Sequence, residues 1–240
     1  MNKTAQRKHS HGQQAFAERL ITHLSPRSAV SEAYRTLRTN IQFGALDRAV
    51  KTIMATSAGP GEGKSTTIAN LAIAFAQAGH RCLLIDADLR RPVLHKVFGV
   101  DQRRGLSAVL VGKVEAAAAI HSVTAVPGLH VMPSGPLPPN PAEMLGSKQW
   151  QGLLHELRES FDFVLIDAPP VIAVADASVL APQTDGVILV LDAGSVPRQA
   201  AQMAKDQLDK VGAKFLGAVL NNVRVEDDYQ YYYYYYTSND

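Results

Sequence analysis

Met54-Ala55-Thr56-Ser57-Ala58-Gly59-Pro60-Gly61-Glu62-Gly63-Lys64-Ser65-Thr66 is the stretch that decides the fold. An apolar run from Ile53 to Ala55 enters a Gly/Pro-rich turn. Ile68, Leu71, Ala72 and Phe75 then recur at helical spacing, so the segment reads as strand, loop, helix. That is the setting of a phosphate-binding loop. Glycines let successive backbone N–H groups point inward, the helix opening near Lys64 presents its positive dipole end, and Lys64 adds a full charge at the β- and γ-phosphates. Gly59, Pro60, Gly61, Glu62, Gly63, Lys64, Ser65 and Thr66 are the candidate nucleotide contacts, and Ser65 is a candidate Mg²⁺ ligand. The usual G-x-x-x-x-G-K-[ST] pattern opens on Gly; here the first position is Ala58, a small residue that still fits.

Outward from this loop, strand and helix patterns alternate. Ser28 starts an amphipathic helix carrying Val30, Ala33, Tyr34, Leu37 and Ile41, with Gly44 as its stop. Glu32, Arg35 and Arg38 fall on its outward or flanking side and, taken alone, read as a solvated, salt-bridged face. After Gly79, Arg81 to Ile85 forms a second buried strand ending in Asp86-Ala87-Asp88-Leu89-Arg90-Arg91. A short helix near Leu106 to Val111, an Ala-rich segment from Val114 to Ile120 and a third strand, Gly128 to Met132, follow. Pro133 to Pro141 holds five prolines and reads as a loop. Ala142 to Glu159 reads as one helix. Phe163 to Ile166 is a fourth strand ending in Asp167-Ala168-Pro169-Pro170, Val187 to Leu191 a fifth, Arg198 to Val211 a helix, and Phe215 to Leu220 a sixth strand ending at Asn221 and Asn222. The fold class expected is an α/β P-loop NTPase with a mostly parallel sheet covered by helices on both faces.

Length and composition bound the rest. The chain has 240 residues, 46% of them hydrophobic, enough for one large domain, spanning residues 25–224. Residues 1–24 are basic and polar, with a short apolar patch at Phe16, Leu20 and Ile21, and read as a mostly disordered tail in which His9 and His11 are tail residues rather than metal ligands. A net charge of +2 gives no case for nucleic acid as a partner. The one cysteine, Cys82, lies in an apolar strand, so a disulfide framework is excluded and a cytoplasmic protein is expected. No apolar run is long enough for a membrane span, and the N-terminus lacks the apolar region of a signal peptide. Any membrane association is therefore expected through a partner. Residues 225–240 read as a flexible tail: Glu226, Asp227, Asp228, Tyr229, Gln230, then Tyr231, Tyr232, Tyr233, Tyr234, Tyr235 and Tyr236.

Three strand ends converge in such a sheet: the loop with Lys64, Asp86 with Asp88, and Asp167. Phosphoryl transfer from ATP to leave ADP asks a protein for charge neutralisation and positioning. Lys64 suits the phosphates, Ser65 and Asp167 the Mg²⁺, Asp86 the proton of the attacking group, and Asp88 a supporting metal or acceptor role. Lys64, Asp86, Asp88 and Asp167 are thus the candidate catalytic residues, and Ser65, Asp86, Asp88 and Asp167 the candidate metal ligands. Asn221 and Asn222 are weaker candidates for the adenine edge, Asn being also an ordinary turn residue.

With these motifs in order, residues 25 to 236 resemble the bacterial tyrosine kinases that accompany capsule and exopolysaccharide export. The resemblance is carried by Ala58 to Thr66, by Leu84-Ile85-Asp86-Ala87-Asp88-Leu89-Arg90, by Ile166 to Pro170, by the Glu32, Arg35, Arg38 helix, and by the tyrosine cluster. It implies Mg²⁺ binding and catalysis at the acidic motifs and a ring-like homo-oligomer joined through Glu32, Arg35 and Arg38. It also implies phosphorylation in trans of Tyr229 and Tyr231 to Tyr236, and a cognate tyrosine phosphatase that reverses it. Fused family members carry their own membrane-spanning adaptor. Here a separate transmembrane adaptor of the polysaccharide co-polymerase type is expected to hold the kinase at the inner face of the membrane. Ala168 departs from the Thr found in many members. The alternative class is an ATPase switch of the related partitioning and septum-site type, which carries a second Lys where this chain has Gly59 and offers no explanation for the tyrosines. A dehydrogenase is excluded because no G-x-G-x-x-G follows the first strand, and an idle scaffold gives no reason for Lys64, Asp86 and Asp167 together.

Overall fold

The computed structural model describes residues 20–44 and 49–223. The elements in chain order are α1 (Ile21–Leu24), α2 (Ala29–Gly44), β1 (Thr52–Ser57), α3 (Lys64–Gln77), β2 (Cys82–Asp86), α4 (Leu94–Phe98), α5 (Leu106–Leu110), α6 (Ala116–Ala119) and β3 (His121–Ser122). They continue with β4 (Leu129–Met132), α7 (Pro141–Leu145), α8 (Lys148–Ser160), β5 (Phe163–Asp167), α9 (Asp176–Leu180), a 3₁₀ turn (Ala181–Gln183), β6 (Gly186–Asp192), α10 (Arg198–Lys210) and β7 (Phe215–Asn221). The sheet order is β3-β4-β2-β5-β1-β6-β7. Every pairing is parallel except that of β3 with β4. The expected α/β fold is therefore present.

Side-chain alternation along the strands makes the two cores. Met54, Leu83, Ile85, Val164, Ile166, Val187 and Leu189 pack on one face with Trp150, Leu153 and Leu157 of α8 and with Leu180, Ala204 and Leu208. Ile53, Ala55, Leu84, Leu165, Ile188 and Val190 pack on the other with Ile68, Leu71 and Phe75 of α3. Period-two alternation also assigns the last residue of each strand to a face. Asp86 has the parity of Leu84 and Asp167 that of Leu165, so both carboxylates belong to the α3 face. They are also partners in register across β2 and β5, one strand spacing of about 4.8 Å apart.

Three expectations change. Leu20 to Leu24, read as part of a disordered tail, includes the helical turn α1: the Thr22 N–H donates to Asn70 Oδ1 (2.9 Å) and Gln77 Nε2 donates to the Thr22 carbonyl (3.0 Å). Four residues have no helical stability alone; docking on α3 supplies it. This outer layer also explains why α3 is buried almost all round, from Thr67 to Ala76, rather than on one stripe. The helix read over Ala142 to Glu159 is two helices, because Ser147 Oγ accepts the Trp150 N–H (3.2 Å) and caps α8. Pro141, read as the end of a loop, opens α7, where its missing N–H costs nothing. The two-residue strand β3 and the short helices α4 and α9 are further additions, too brief to show a period. The tyrosine cluster and residues 1–19 lie outside the described residues.

Candidate active site

The phosphate loop links β1 to α3 and turns on two glycines in the left-handed region, Gly61 (φ 84°) and Gly63 (φ 89°). A Cβ at Gly63 would lie 2.0 Å from Asn221 Nδ2, so this glycine is required by close approach as well as by φ. The loop is braced from within and from outside. Glu62 Oε1 accepts the Gly59 N–H, Ser57 Oγ donates to the Gly59 carbonyl (2.7 Å), and Asn221 Nδ2 donates to the Glu62 carbonyl (3.2 Å). Asn221, expected at an adenine edge, thus has its amide on the phosphate loop itself. Burial raises the Glu62 pKa above the ordinary carboxylate value, the Gly59 and Ala58 N–H groups working against that rise. Pro60 and Gly61 are exposed at the tip, and Ser65 and Thr66 are half-buried on the first turn of α3.

Lys64 joins the three strand ends. Its Nζ lies 3.0 Å from Asp88 Oδ2, 3.2 Å from Asp167 Oδ1 and 3.2 Å from Ser65 Oγ. Burial opposes its charge, but Asp167 and Asp88 outweigh burial and hold the ammonium firmly protonated, above the usual lysine range. Asp86 Oδ2 accepts the N–H groups of Val93 (3.1 Å) and Leu94 (3.0 Å), and Asp88 Oδ1 accepts those of Arg90 (3.3 Å) and Arg91 (2.9 Å). Asp86 and Asp167 are fully buried. Asp86 Oδ1 and Asp167 Oδ2 are buried without a hydrogen-bond partner. Burial, then the Asp167 charge, pushes Asp86 up to about 8; burial likewise raises Asp167, against the pull of Lys64. A buried acceptor left unmet is expensive, so two of them side by side mark a place shaped for a cation or a proton donor.

Among the described residues no three His, Cys, Asp or Glu side chains form a metal cage. Of the four expected ligands, Asp88, Asp167 and Ser65 meet around the Lys64 ammonium rather than in a preformed cage, and Asp86 stands in register with Asp167. Mg²⁺ does not require a cage: it is commonly held by one or two protein oxygens, waters and substrate phosphates. The orphaned Asp167 Oδ2, with Ser65 beside Lys64, fits that pattern.

The helix α2 divides the expected interface residues. Arg35 Nη1 pairs with Glu32 Oε2 at 2.5 Å, and Arg35 Nη2 donates to the Pro26 carbonyl (2.6 Å). Arg38, expected on the outward or flanking side, instead turns onto α3, its Nη1 donating to the Ala74 carbonyl (3.0 Å) while its Nε is buried without a partner. The N-terminal half of α2 thus offers the half-exposed Glu32 and Arg35, and Arg38 ties the helix to the domain.

One contact had no clear signal in the sequence. Asp176, fully buried on α9, receives a fork of two bonds from Arg90, Nε to Oδ2 and Nη2 to Oδ1, both 2.9 Å. Arg90 is visible in its acidic motif; Asp176 stands nine positions after Asp167 in a segment with no motif of its own.

A Gly-turned loop on a parallel sheet, a lysine at the first helical turn and carboxylates on the adjacent strand ends define a P-loop nucleotide-binding domain. A family model described as an AAA domain matches residues 50–215. The tyrosine-protein kinase YwqD of Bacillus subtilis (strain 168) is 45% identical over 212 residues, which are 88% of this chain and 89% of the relative. Two solved structures extend the likeness. The chimerical protein CapA2B2 matches with a TM-score of 0.84 at 39% identity, covering 87% of this chain and 91% of that one, and the kinase domain of the Escherichia coli tyrosine kinase ETK matches at 0.80 and 31%, covering 86% and 82%. The chain belongs to the bacterial tyrosine-protein kinases. Its kinship with the septum-site ATPases is more distant: the Pyrococcus horikoshii MinD protein complexed with Mg-ADP matches with a TM-score of 0.62 at 26% identity, covering 74% and 72%. Among the described residues no helix is long and apolar enough to cross a membrane.

Proposed function

We propose that this kinase uses Mg-ATP to phosphorylate the tyrosine cluster Tyr229 and Tyr231 to Tyr236 of neighbouring copies, and that the cycle regulates capsule or exopolysaccharide polymerisation and export. The observation that carries the chemistry is the pair of in-register carboxylates, Asp86 and Asp167, each with one buried oxygen unmet beside Lys64. Lys64 moves from the carboxylates to the β- and γ-phosphates. Ser65 and Asp167 would hold Mg²⁺, with Asp88 near it. Bound there, Mg²⁺ neutralises charge on the phosphate oxygens. The tyrosine oxygen attacks the γ-phosphorus, the bond from that phosphorus to the β,γ-bridging oxygen breaks, ADP leaves, and the phenolic proton passes to Asp86 Oδ1. A carboxyl raised toward neutrality matches that proton better than one of ordinary acidity.

The cluster is the substrate this reading favours because seven tyrosines behind Glu226, Asp227 and Asp228 stand only a few residues beyond β7. Extended chain spans at most about 3.5 Å per residue, so the tail reaches on the order of 50 Å, far enough for an adjoining subunit. Each phosphotyrosine adds about −1.5 to −2 charges, so several add roughly −10 at the subunit contacts. Repulsion then opens the assembly, and a tyrosine phosphatase closes it again. Glu32 and Arg35 are the interface residues, with Arg38 fixing the helix that presents them. A separate membrane-spanning adaptor would hold the kinase at the inner face of the membrane. The chimeric construction of the CapA2B2 relative supports such a pairing. A pure ATPase switch is the lesser reading: Gly59 stands where those switches carry a second Lys.

The test mixes a Lys64→Met full-length subunit with an active subunit lacking residues 225–240, adds ATP and Mg²⁺, and measures phosphate on the inactive chain by intact mass. Phosphate on its tyrosines is expected, with sedimentation shifting toward monomer as phosphate accumulates. No phosphate on that chain rules out transfer between subunits, and release of phosphate into solution alone would favour the switch.

A further inference from the structure

The loop after β2 carries Asp88 and the end of β5 carries Asp167, and a third contact ties that loop to the segment that follows β5. Arg90 faces both ways. Its backbone N–H, with that of Arg91, is received by Asp88 Oδ1, while its guanidinium forks onto Asp176. Asp88 Oδ2 in turn holds Lys64, which also holds Asp167. The loop closes on itself: Lys64, Asp88, the 90–91 backbone, the Arg90 guanidinium, Asp176, and back along the chain to Asp167.

This fork is costly if stability is its only purpose. Asp176 is fully buried next to Ala177 and Leu180, and the Arg90 side chain is 42% exposed at the mouth of the site. Taking a carboxylate out of water is costly, and an apolar pair of similar volume commonly replaces a buried ion pair with no loss of stability. What an apolar pair does not reproduce is direction: two parallel N–H···O bonds fix a guanidinium in angle as well as distance. We infer that Arg90 and Asp176 are positioning residues for phosphoryl transfer, whose fork sets the separation of Asp88 from Asp167 and so the fit of the site to the Mg-bound phosphates. The inference rests on the phosphoryl-transfer reading of the site. It is distinct from the roles of Lys64, Asp86 and Asp167, since neither residue reaches the reacting atoms. A displacement of about 1 Å at such a site costs on the order of 100-fold in rate.

Three variants of the full chain test it: Arg90→Lys, which keeps charge and loses the fork; Asp176→Asn; and the apolar pair Arg90→Met with Asp176→Leu. Each is measured for thermal midpoint, for affinity toward a fluorescent ADP analogue with and without Mg²⁺, and for kcat and KM in tyrosine phosphorylation. Arg90→Lys is expected to bind the metal-free analogue like wild type, to lose most of the Mg²⁺ enhancement of that affinity, and to lower kcat roughly 10-fold to 100-fold with KM for ATP nearly unchanged. The apolar pair should restore the thermal midpoint and leave both losses in place. Wild-type Mg²⁺ enhancement in Arg90→Lys overturns the inference, as does recovery of kcat by the apolar pair along with stability. If Asp176→Asn fails to fold, the other two variants decide. If wild type binds Mg-nucleotide but phosphorylates nothing, the kinase chemistry is lost and the Mg²⁺ enhancement alone still judges the fork.

Discussion

Two aspartates at opposite ends of the sheet have opposite fates. Asp185, just before β6, is nearly buried, and its Oδ2 accepts from the N–H of Lys51 (3.1 Å), the N–H of Thr52 (2.9 Å) and Thr52 Oγ1 (3.0 Å), while Oδ1 faces Arg158 at 3.1 Å. Burial works against its charge, yet the Thr52 and Lys51 donors outweigh burial and hold it below the ordinary carboxylate value. Asp86, at the other end, has one oxygen satisfied by two N–H groups and one left bare, and burial beside Asp167 raises it to about 8. Both are buried aspartates at strand ends. The difference is saturation: a carboxylate with both oxygens met fastens a strand, whereas one kept short of partners stays available to a proton or a cation. The fold spends its hydrogen bonds at the end that only has to hold.

The contrast breaks most visibly in rate. Asp86→Asn and Asp167→Asn should each lower tyrosine phosphorylation by roughly 10² to 10⁴-fold; Asp86→Asn should leave the thermal midpoint unchanged or higher, because a neutral amide replaces a carboxyl whose ionisation burial opposes, whereas Asp167→Asn should lower it by breaking the buried pair with Lys64. Steady-state kinetics beside a melting curve checks both halves, and a midpoint lowered along with the rate in Asp86→Asn would erase the distinction. Asp185→Asn should do the reverse. Its amide brings N–H groups toward donors, so unfolding in urea should show a loss of about 1 to 3 kcal/mol, with kcat per folded molecule unchanged.

A smaller effect, read in pH, sharpens the same contrast. Asp86 has an ordinary value of 3.8 when unfolded and about 8 when folded. The unfolded chain therefore releases this proton first, and the stability linked to it falls as pH rises from about 4 to 8. Asp185 is shifted the other way, so its contribution is present above the ordinary carboxylate pKa and is lost as pH falls through its folded value. Relative to wild type, Asp86→Asn should gain stability as pH climbs toward 8 and level off above it. Asp185→Asn should show its full deficit near neutrality and less of it in acid. Parallel pH profiles for the two variants would show that saturation does not separate them.

Much of this site was legible along the chain because its parts are local. The glycine turn, Lys64 at the start of a helix, and aspartates directly after apolar runs are each contained within a few residues, and period-two alternation carries Asp86 and Asp167 to the α3 face. The remainder depended on contacts between distant segments. Nothing near Asp176 announces a partner 86 positions earlier. Arg38 looks like one more charge on an amphipathic helix until α3 presents the Ala74 carbonyl. Leu20 to Leu24 is too short to fold by its own pattern, and the break at Gly146 and Ser147 is hidden by helix-favouring residues on both sides. Asn221 was visible as a strand-end polar residue, but its partner, the turn at Gly63, lies on a loop more than 150 residues away.

That last contact has a mechanical consequence. The amide of Asn221 fills the space where a side chain at Gly63 would stand, and two residues later, after Val223, the chain runs on into the acidic, tyrosine-bearing segment. The tail is thus rooted on the cradle of the nucleotide. Asn222, between Asn221 and the tail, donates its Nδ2 to Asp192 Oδ1 (2.8 Å), so the end of β7 is fastened to the phosphate loop by one asparagine and to the end of β6 by the next. A pull from beyond Val223 would therefore meet the Asn222–Asp192 bond before it reached the Glu62 carbonyl and the floor of the phosphate loop.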